Sequence, residues 1–245
     1  MSGATHKQQD NHDFFAEAIS AKVMAKALNT VAAKLGEWGL ITSSGLGALT
    51  NEASRLNRFK DDTNWSLEID RSNPISFTET TDKNGASIFP RIVCEGISVS
   101  YQHPAYPPFT AFDIAIEIVN QDQAPVARWH VDLANEKDDG MQSGPLTHIQ
   151  FGGHFQGHRD KDHPLKVPRW CHPPMDLILL CEVTAANFYT DEWIELREDP
   201  SWCQAVHIGQ KLCYTAYLNK ISSSFTISSK TLLHSMWASE WKSNT

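Results

Sequence analysis

Phe112-Asp113-Ile114-Ala115-Ile116-Glu117-Ile118-Val119 and, a few residues on, Ala127-Arg128-Trp129-His130-Val131-Asp132-Leu133 decide the fold of this chain. In the first run Phe112, Ile114, Ile116 and Ile118 alternate with Asp113, Ala115, Glu117 and Val119. In the second, Ala127, Trp129, Val131 and Leu133 alternate with Arg128, His130 and Asp132. A period of two sends successive side chains to opposite faces of a sheet. The polar connector Asn120-Gln121-Asp122-Gln123 joins the two runs into an antiparallel hairpin. A short loop centred near Gln123 favours one register, in which Ile116 faces Trp129 and Ile114 faces Val131 on a wholly apolar side. The other side then sets Glu117 opposite Arg128, Ala115 opposite His130 and Asp113 opposite Asp132. Opposed side chains lie about 4.5–5.5 Å apart at Cβ. Two aspartates at that distance repel unless a cation or a shared proton neutralises them.

Outward from the hairpin, other strands show the same period. Trp65, Leu67 and Ile69 alternate with Ser66, Glu68 and Asp70, and Asp82-Lys83-Asn84-Gly85 holds an Asn-Gly turn signal. Ile92 and Cys94 keep one phase while Ile97, Val99 and Tyr101 keep the other; the switch at Gly96 predicts a β-bulge. His103 to Pro108 is a proline-rich loop, and Leu146 to Phe151 a further short strand. At the N-terminus, residues 1–12 form a polar tail. Asp13 can cap a helix over 13–36 carrying Ile19, Val23, Ala27, Leu28, Val31 and Leu35, closed by Gly36. The Gly/Ser-rich stretch Thr42 to Gly47 breaks that periodicity.

A His-rich loop spans 152–173, and 174–241 is helical. Pro174 at a first helical position leads Met175 to Phe188, and Thr190 or Asp191 starts a short helix. Asp199 caps another with Pro200 at its first position, and a last amphipathic helix carries Leu232, Leu233, Met236, Trp237 and Trp241. Strands grouped at 64–151 with helices at both ends is the α+β pattern. The expectation is one α+β domain over 13–245: an N-terminal helix, an antiparallel sheet of four to six strands, and a C-terminal helical layer.

Composition bounds the function. Among 245 residues, 41% are apolar and 20% charged, a globular balance that excludes disordered and collagen-like chains. The net charge is −8 with no basic stripe, so nucleic acid and anionic membranes lack an electrostatic pull. The first residues hold no apolar signal-peptide core, and no apolar run is long enough to span a bilayer. The five cysteines are scattered without a CxxC pair, which predicts free thiols and a cytoplasmic location.

Chemistry concentrates on the polar side of the hairpin. His130, Asp132, Asp113 and Glu117 are the candidate catalytic residues. If His148 continues the sheet beside His130, then His130, Asp132 and His148 form a His/His/carboxylate set. Such a set can hold a divalent metal that lowers the pKa of bound water. The plainer alternative is a solvated sheet face on which Glu117–Arg128 is a weak surface pair. A second concentration is His148, His154, His158, His163 and His172 among Gly152, Gly153 and Gly157. Its spacing fits no zinc motif, which leaves His154 and His158, with Arg128, as binding candidates or as parts of a polar loop. Cys171 before a helix N-terminus and beside His172 is the thiol best placed for activation. Glu182, alone in an apolar helix, calls for a partner such as Arg169 or Arg197. Ser43-Ser44-Gly45-Leu46-Gly47 is neither a nucleophile elbow nor a phosphate loop. Of the eight tryptophans, Trp237 and Trp241 lie on the last amphipathic helix and are expected to dock a protein partner.

Trp129-His130-Val131-Asp132-Leu133-Ala134-Asn135 followed by Asp138-Asp139-Gly140, between an N-terminal helix and later helices, resembles the HPN-containing segment of ubiquitin-conjugating enzymes. The proline of that motif is absent, and Met141-Gln142-Ser143 stands where the nucleophilic cysteine would follow. The resemblance implies a partner-binding variant without conjugating activity. The function expected from these features is an accessory or binding protein acting through a partner interface. The alternatives are a metal-dependent hydrolase using the His/Asp cluster and the ubiquitin-conjugating-like variant.

Overall fold

The computed structural model describes residues 18–61, 63–102, 106–134, 136–137, 140–152, 167–225 and 229–242. In chain order the first elements are α1 (Ala21–Glu37), α2 (Ser43–Leu56), β1 (Asn64–Ile69), β2 (Ile75–Ser76), β3 (Thr80–Thr81) and β4 (Ser87–Ser100). The central hairpin is β5 (Phe109–Val119) and β6 (Pro125–Leu133), followed by β7 (Glu136–Lys137), β8 (Gly140–Met141), β9 (Thr147–Phe151) and β10 (Trp170–Cys171). The remaining helices are α3 (Leu177–Phe188), α4 (Thr190–Leu196), α5 (Pro200–Ser224), α6 (Leu232–Ser235) and α7 (Ala238–Lys242).

The fold is α+β. One antiparallel sheet runs in the order β1-β4-β5-β6-β9-β10, with β2 and β3 added on β4 to make eight strands; β7 and β8 pair separately. The β5–β6 register pairs Ile116 with Trp129, Ile114 with Val131, Glu117 with Arg128, Ala115 with His130 and Asp113 with Asp132, as the alternation requires. In β4 the register shifts between Cys94 and Gly96, so the change of phase is a bulge. Gln123 at φ 58° and Gly85 at φ +81° turn the two hairpin loops.

Helices cover one face of this sheet. Leu67, Ile92, Ile97, Ile114, Leu28, Val31, Leu49 and Ile178 belong to one buried cluster shared by strands and helices. Trp65 fastens the start of α1 by donating its indole N–H to Ile19 O at 2.9 Å, while Ile19 N donates to Tyr101 Oη at 2.9 Å. A second, smaller cluster holds Ala134, Leu146, Tyr217, Met236 and Trp241, with Leu133 packed against both.

Several boundaries differ from the sequence expectation. Ala18 to Ser20 are not helical, so α1 starts at Ala21 with Ser20 as its cap rather than at Asp13. The Gly/Ser-rich stretch is not a break but the first turn of α2, capped by the Thr42 hydroxyl, which accepts from Gly45 N at 3.1 Å. A side chain at Gly45 would collide with the Ser76 backbone; glycine there lets α2 lie directly on β2. The helix after Pro174 begins only at Leu177, behind an Asp176 cap. The C-terminal amphipathic stretch is two short helices, interrupted where Trp237 bridges to Pro145. The caps of α5 are as expected, with Asp199 accepting from Ser201 N and Trp202 N.

Candidate functional site on the polar face of the sheet

Strand pairing assembles one continuous polar row. Across β4, β5 and β6 it reads Arg91–Glu117–Arg128, and four residues along it reads Asp113–Asp132–His148 across β5, β6 and β9. His130 sits between these lines, opposite Ala115 on one side and Gln150 on the other. The arrival of β9 beside β6 brings His148 directly opposite Asp132.

This row is not a solvated face. Glu117, Arg128, His130 and His148 are all buried, and Asp132 keeps only a quarter of its side chain exposed. Buried charges must be paired. Arg91 Nε donates to Glu117 Oε2 at 2.9 Å, and Arg128 Nε lies 3.3 Å from Glu117 Oε1. Glu117 and Arg128 are therefore a buried pair with Arg91 as a second cation, not a surface pair.

Asp132 is shared by two imidazoles. Its Oδ2 lies 3.1 Å from His130 Nε2, and its Oδ1 lies 2.5 Å from His148 Nε2 in an off-axis contact. His148 Nδ1 faces Pro145 O at 3.3 Å. Burial pushes the Asp132 carboxyl up, but the two histidines outweigh it and hold the group down at about 2. Asp113 moves the other way: burial raises it, Glu95 adds to the rise, and Arg128 and His130 oppose it. The two opposed aspartates are thus pushed apart, one held ionised and the other eased toward its acid form.

Two polar atoms of the row stay without a hydrogen bond or an ion-pair contact among the described residues: His130 Nδ1 and Asp113 Oδ1. Native proteins leave few such atoms buried, and each one asks for a ligand, a water or a strained role. Among the described residues, no group of three or more His, Cys, Asp and Glu side chains is placed to hold a metal ion. The expected donors His130, Asp132 and His148 do meet, but their nitrogens address the carboxylate rather than a common point.

The other expected residues separate. His154 and His158 lie outside the described residues, as does His163. Cys171 is in β10, paired with His148 across the strands rather than at a helix start. Its sulfur lies 3.2 Å from Tyr217 Oη, and burial pushes the thiol up, the opposite of activation. Arg169 donates to Ser143 O and Arg197 to Glu198, so neither holds Glu182. Trp241 is only 4% exposed and Trp237 is half-buried, which removes the free aromatic face expected of the last helix. Exposed aromatics lie elsewhere: Trp129 (38%), Phe151 (48%) and Trp170 (67%) stand on β6, β9 and β10, with Trp129 edge-on to Phe151 at 5.5 Å. Their clustering was not visible in sequence, because Trp170 joins the sheet only through the β9–β10 pairing.

In the segment compared with ubiquitin-conjugating enzymes, His130 is a mid-strand residue engaged with Asp132. No protein-family model, curated protein or solved structure matches this chain.

Proposed function

We propose that this chain is an ester hydrolase, with His130 as general base on the polar row of the sheet. The observation that carries the reading is the buried, unpartnered Nδ1 of His130, opposite the ring nitrogen that Asp132 addresses. A carboxylate accepting from Nε2–H leaves Nδ1 as the basic nitrogen. Nδ1 takes a proton from water as the water oxygen attacks the carbonyl carbon, and Asp132 stabilises the imidazolium that forms. The tetrahedral intermediate then collapses, the ester C–O bond breaks, and the imidazolium returns its proton to the departing alcohol. Arg128, whose Nε lacks an aligned acceptor, is the donor for the developing oxyanion. Asp113 and Glu117 shape the charge around this centre.

The test is hydrolysis of p-nitrophenyl acetate and related esters by wild type and His130→Ala. A fall of about 10²- to 10⁴-fold in kcat/KM is expected for loss of a general base. Activity that survives the substitution rejects the assignment. Metal analysis of the wild type and of a His130→Ala, Asp132→Ala double variant separates two forms of the mechanism. About one equivalent of divalent metal, lost in the double variant, moves water activation onto an ion held by His130, Asp132 and His148.

A second reading, an accessory protein working through a protein partner, is supported by the exposed Trp129, Phe151 and Trp170. The setting we infer for either is cytoplasmic, consistent with five free cysteines. Among the described residues no helix is long and apolar enough to cross a membrane.

A further inference from the structure

On the helical side of the molecule, away from the polar row, α1, α3 and the start of α5 enclose a groove of about 860 Å³. That volume lies within the range of small-molecule sites. Its walls combine apolar surface from Val23 and Trp202 with the cations Lys26 and Arg197 and the imidazole of His207, and Glu182 is the one carboxyl of the lining. A shallower recess of about 490 Å³ continues it past Lys26 and Thr30 to Lys34.

Three observations point to what this groove takes. Lys26 has no ion-pair partner among the described residues, and Arg197 meets only the exposed Glu198 while its guanidinium lies 5.2 Å from the Trp193 ring. Lys34 is already neutralised by Glu37 and Asp199, so the uncommitted positive charge of the groove is that of Lys26, with Arg197 beside it paired only to an exposed glutamate. Trp202 is 1% exposed, and its indole N–H has no acceptor although the residue forms part of the wall. A buried donor without a partner, in an apolar wall beside an unpaired lysine and an exposed arginine, fits a molecule carrying a negative group and an apolar body. Such cations stand out on a chain of net charge −8. Burial also raises the Glu182 carboxyl, which weakens the one opposing charge.

We propose that the α1–α5 groove binds a small organic anion with an apolar body, its charge held between Lys26 and Arg197 and its body against Trp202. This site is separate from the polar row and stands whether or not the hydrolase reading does.

The probes are 1-anilinonaphthalene-8-sulfonate and its uncharged analogue N-phenyl-1-naphthylamine, titrated by fluorescence against the full chain. The sulfonate is expected to bind with one-to-one stoichiometry and to quench tryptophan emission. A Lys26→Glu, Arg197→Glu variant should weaken it by at least about tenfold, equivalent to ~1.4 kcal/mol, and leave the uncharged probe within about twofold. Both positions are exposed, so the variant should keep the wild-type melting temperature, which is measured alongside. Sulfonate affinity unchanged by charge reversal overturns the proposal, as does the absence of saturable binding. A Phe151→Ser, Trp170→Ser variant must leave binding intact; if it abolishes binding, the probe sits on the exposed aromatic surface and the groove is not the site.

Discussion

Asp132, three-quarters buried, and Asp176, fully buried, are pushed in opposite directions by their surroundings. Asp132 is held at about 2 by His130 and His148 against the upward pull of burial. Its folded pKa lies below that of an unfolded aspartate, about 3.9. The stability it contributes is therefore present above about pH 4 and lost as pH falls toward 2. The shift is worth ~2–3 kcal/mol. Asp132→Asn should lose that amount at neutral pH and flatten the acid limb of stability, read by urea unfolding across the pH range. An unchanged acid limb would mean that the histidines do not hold this carboxylate. Asp176 caps α3, with Oδ1 accepting from Leu179 N at 2.9 Å and Oδ2 left without a partner. Burial raises it to about 6, against the lowering effect of its backbone hydrogen bonds. Here the native state favours the protonated acid, so its contribution is full below about pH 4 and is lost as pH rises through 6. Asp176→Asn keeps a good capping side chain. It should remove the decline between pH 4 and 7 and leave the variant the more stable protein at pH 7.

Two contacts between elements set how the molecule holds its shape. Where α5 crosses α3, a Cβ at Gly209 would stand 2.9 Å from Asp176 Oδ1 and 3.1 Å from Leu179 Cγ. Alanine is the better helix former by about 1 kcal/mol, yet Gly209→Ala should lower stability by ~1–3 kcal/mol through overpacking. A raised melting temperature would show that the helices separate without cost. At the other end, α6 and α7 strap the loop before β9. Leu146 N donates to Met236 O at 3.0 Å, and Ala238 N donates to Gly144 O at 2.9 Å. Between those bonds lies Pro145, whose carbonyl faces His148 Nδ1. The strap thus holds the backbone group that orients a histidine of the polar row. Trp241→Ala should cost ~3 kcal/mol. It should also expose the Leu146 and Ala238 amides to faster hydrogen exchange and shift the His148 ring resonances. Resonances that stay in place would uncouple the strap from the site.

On the scale of the whole molecule, α2 and α3 lie against β1, β2, β4 and β5, whereas Trp129, Phe151 and Trp170 on β6, β9 and β10 stay exposed. The same apolar phase that is buried at Ile114 and Ile116 is open to solvent at Trp129 on the next strand and at Phe151 on the one after. Replacing Phe151 and Trp170 by serine should change stability by less than about 0.5 kcal/mol, the usual range for exposed positions. If those side chains form an interface, the variant should sediment as a smaller species than wild type in the same extract. A drop in stability comparable to a core substitution would mean that they are packed rather than presented.

The sequence by itself determined what local chemistry controls. The period of two set the β5–β6 register, because slipping by one residue would turn Ile114 and Ile116 to the polar side. Asn84-Gly85 marked a turn, Gly96 a bulge, and Asp199-Pro200 the start of α5, each through the backbone preference of those residues. The register also named Asp113, Glu117, Arg128, His130 and Asp132 as one face. Only the tertiary structure decided whether that face is wet. Its burial, the docking of His148 on Asp132, the joining of Trp170 to the sheet and the enclosure of Trp241 all depend on contacts between residues far apart in the chain. The α2 helix escaped for a related reason: its Gly45 is chosen by the closeness of β2, not by helix propensity. Periodicity and turn signals act over a few residues, whereas burial and charge pairing depend on which distant segments the fold brings together.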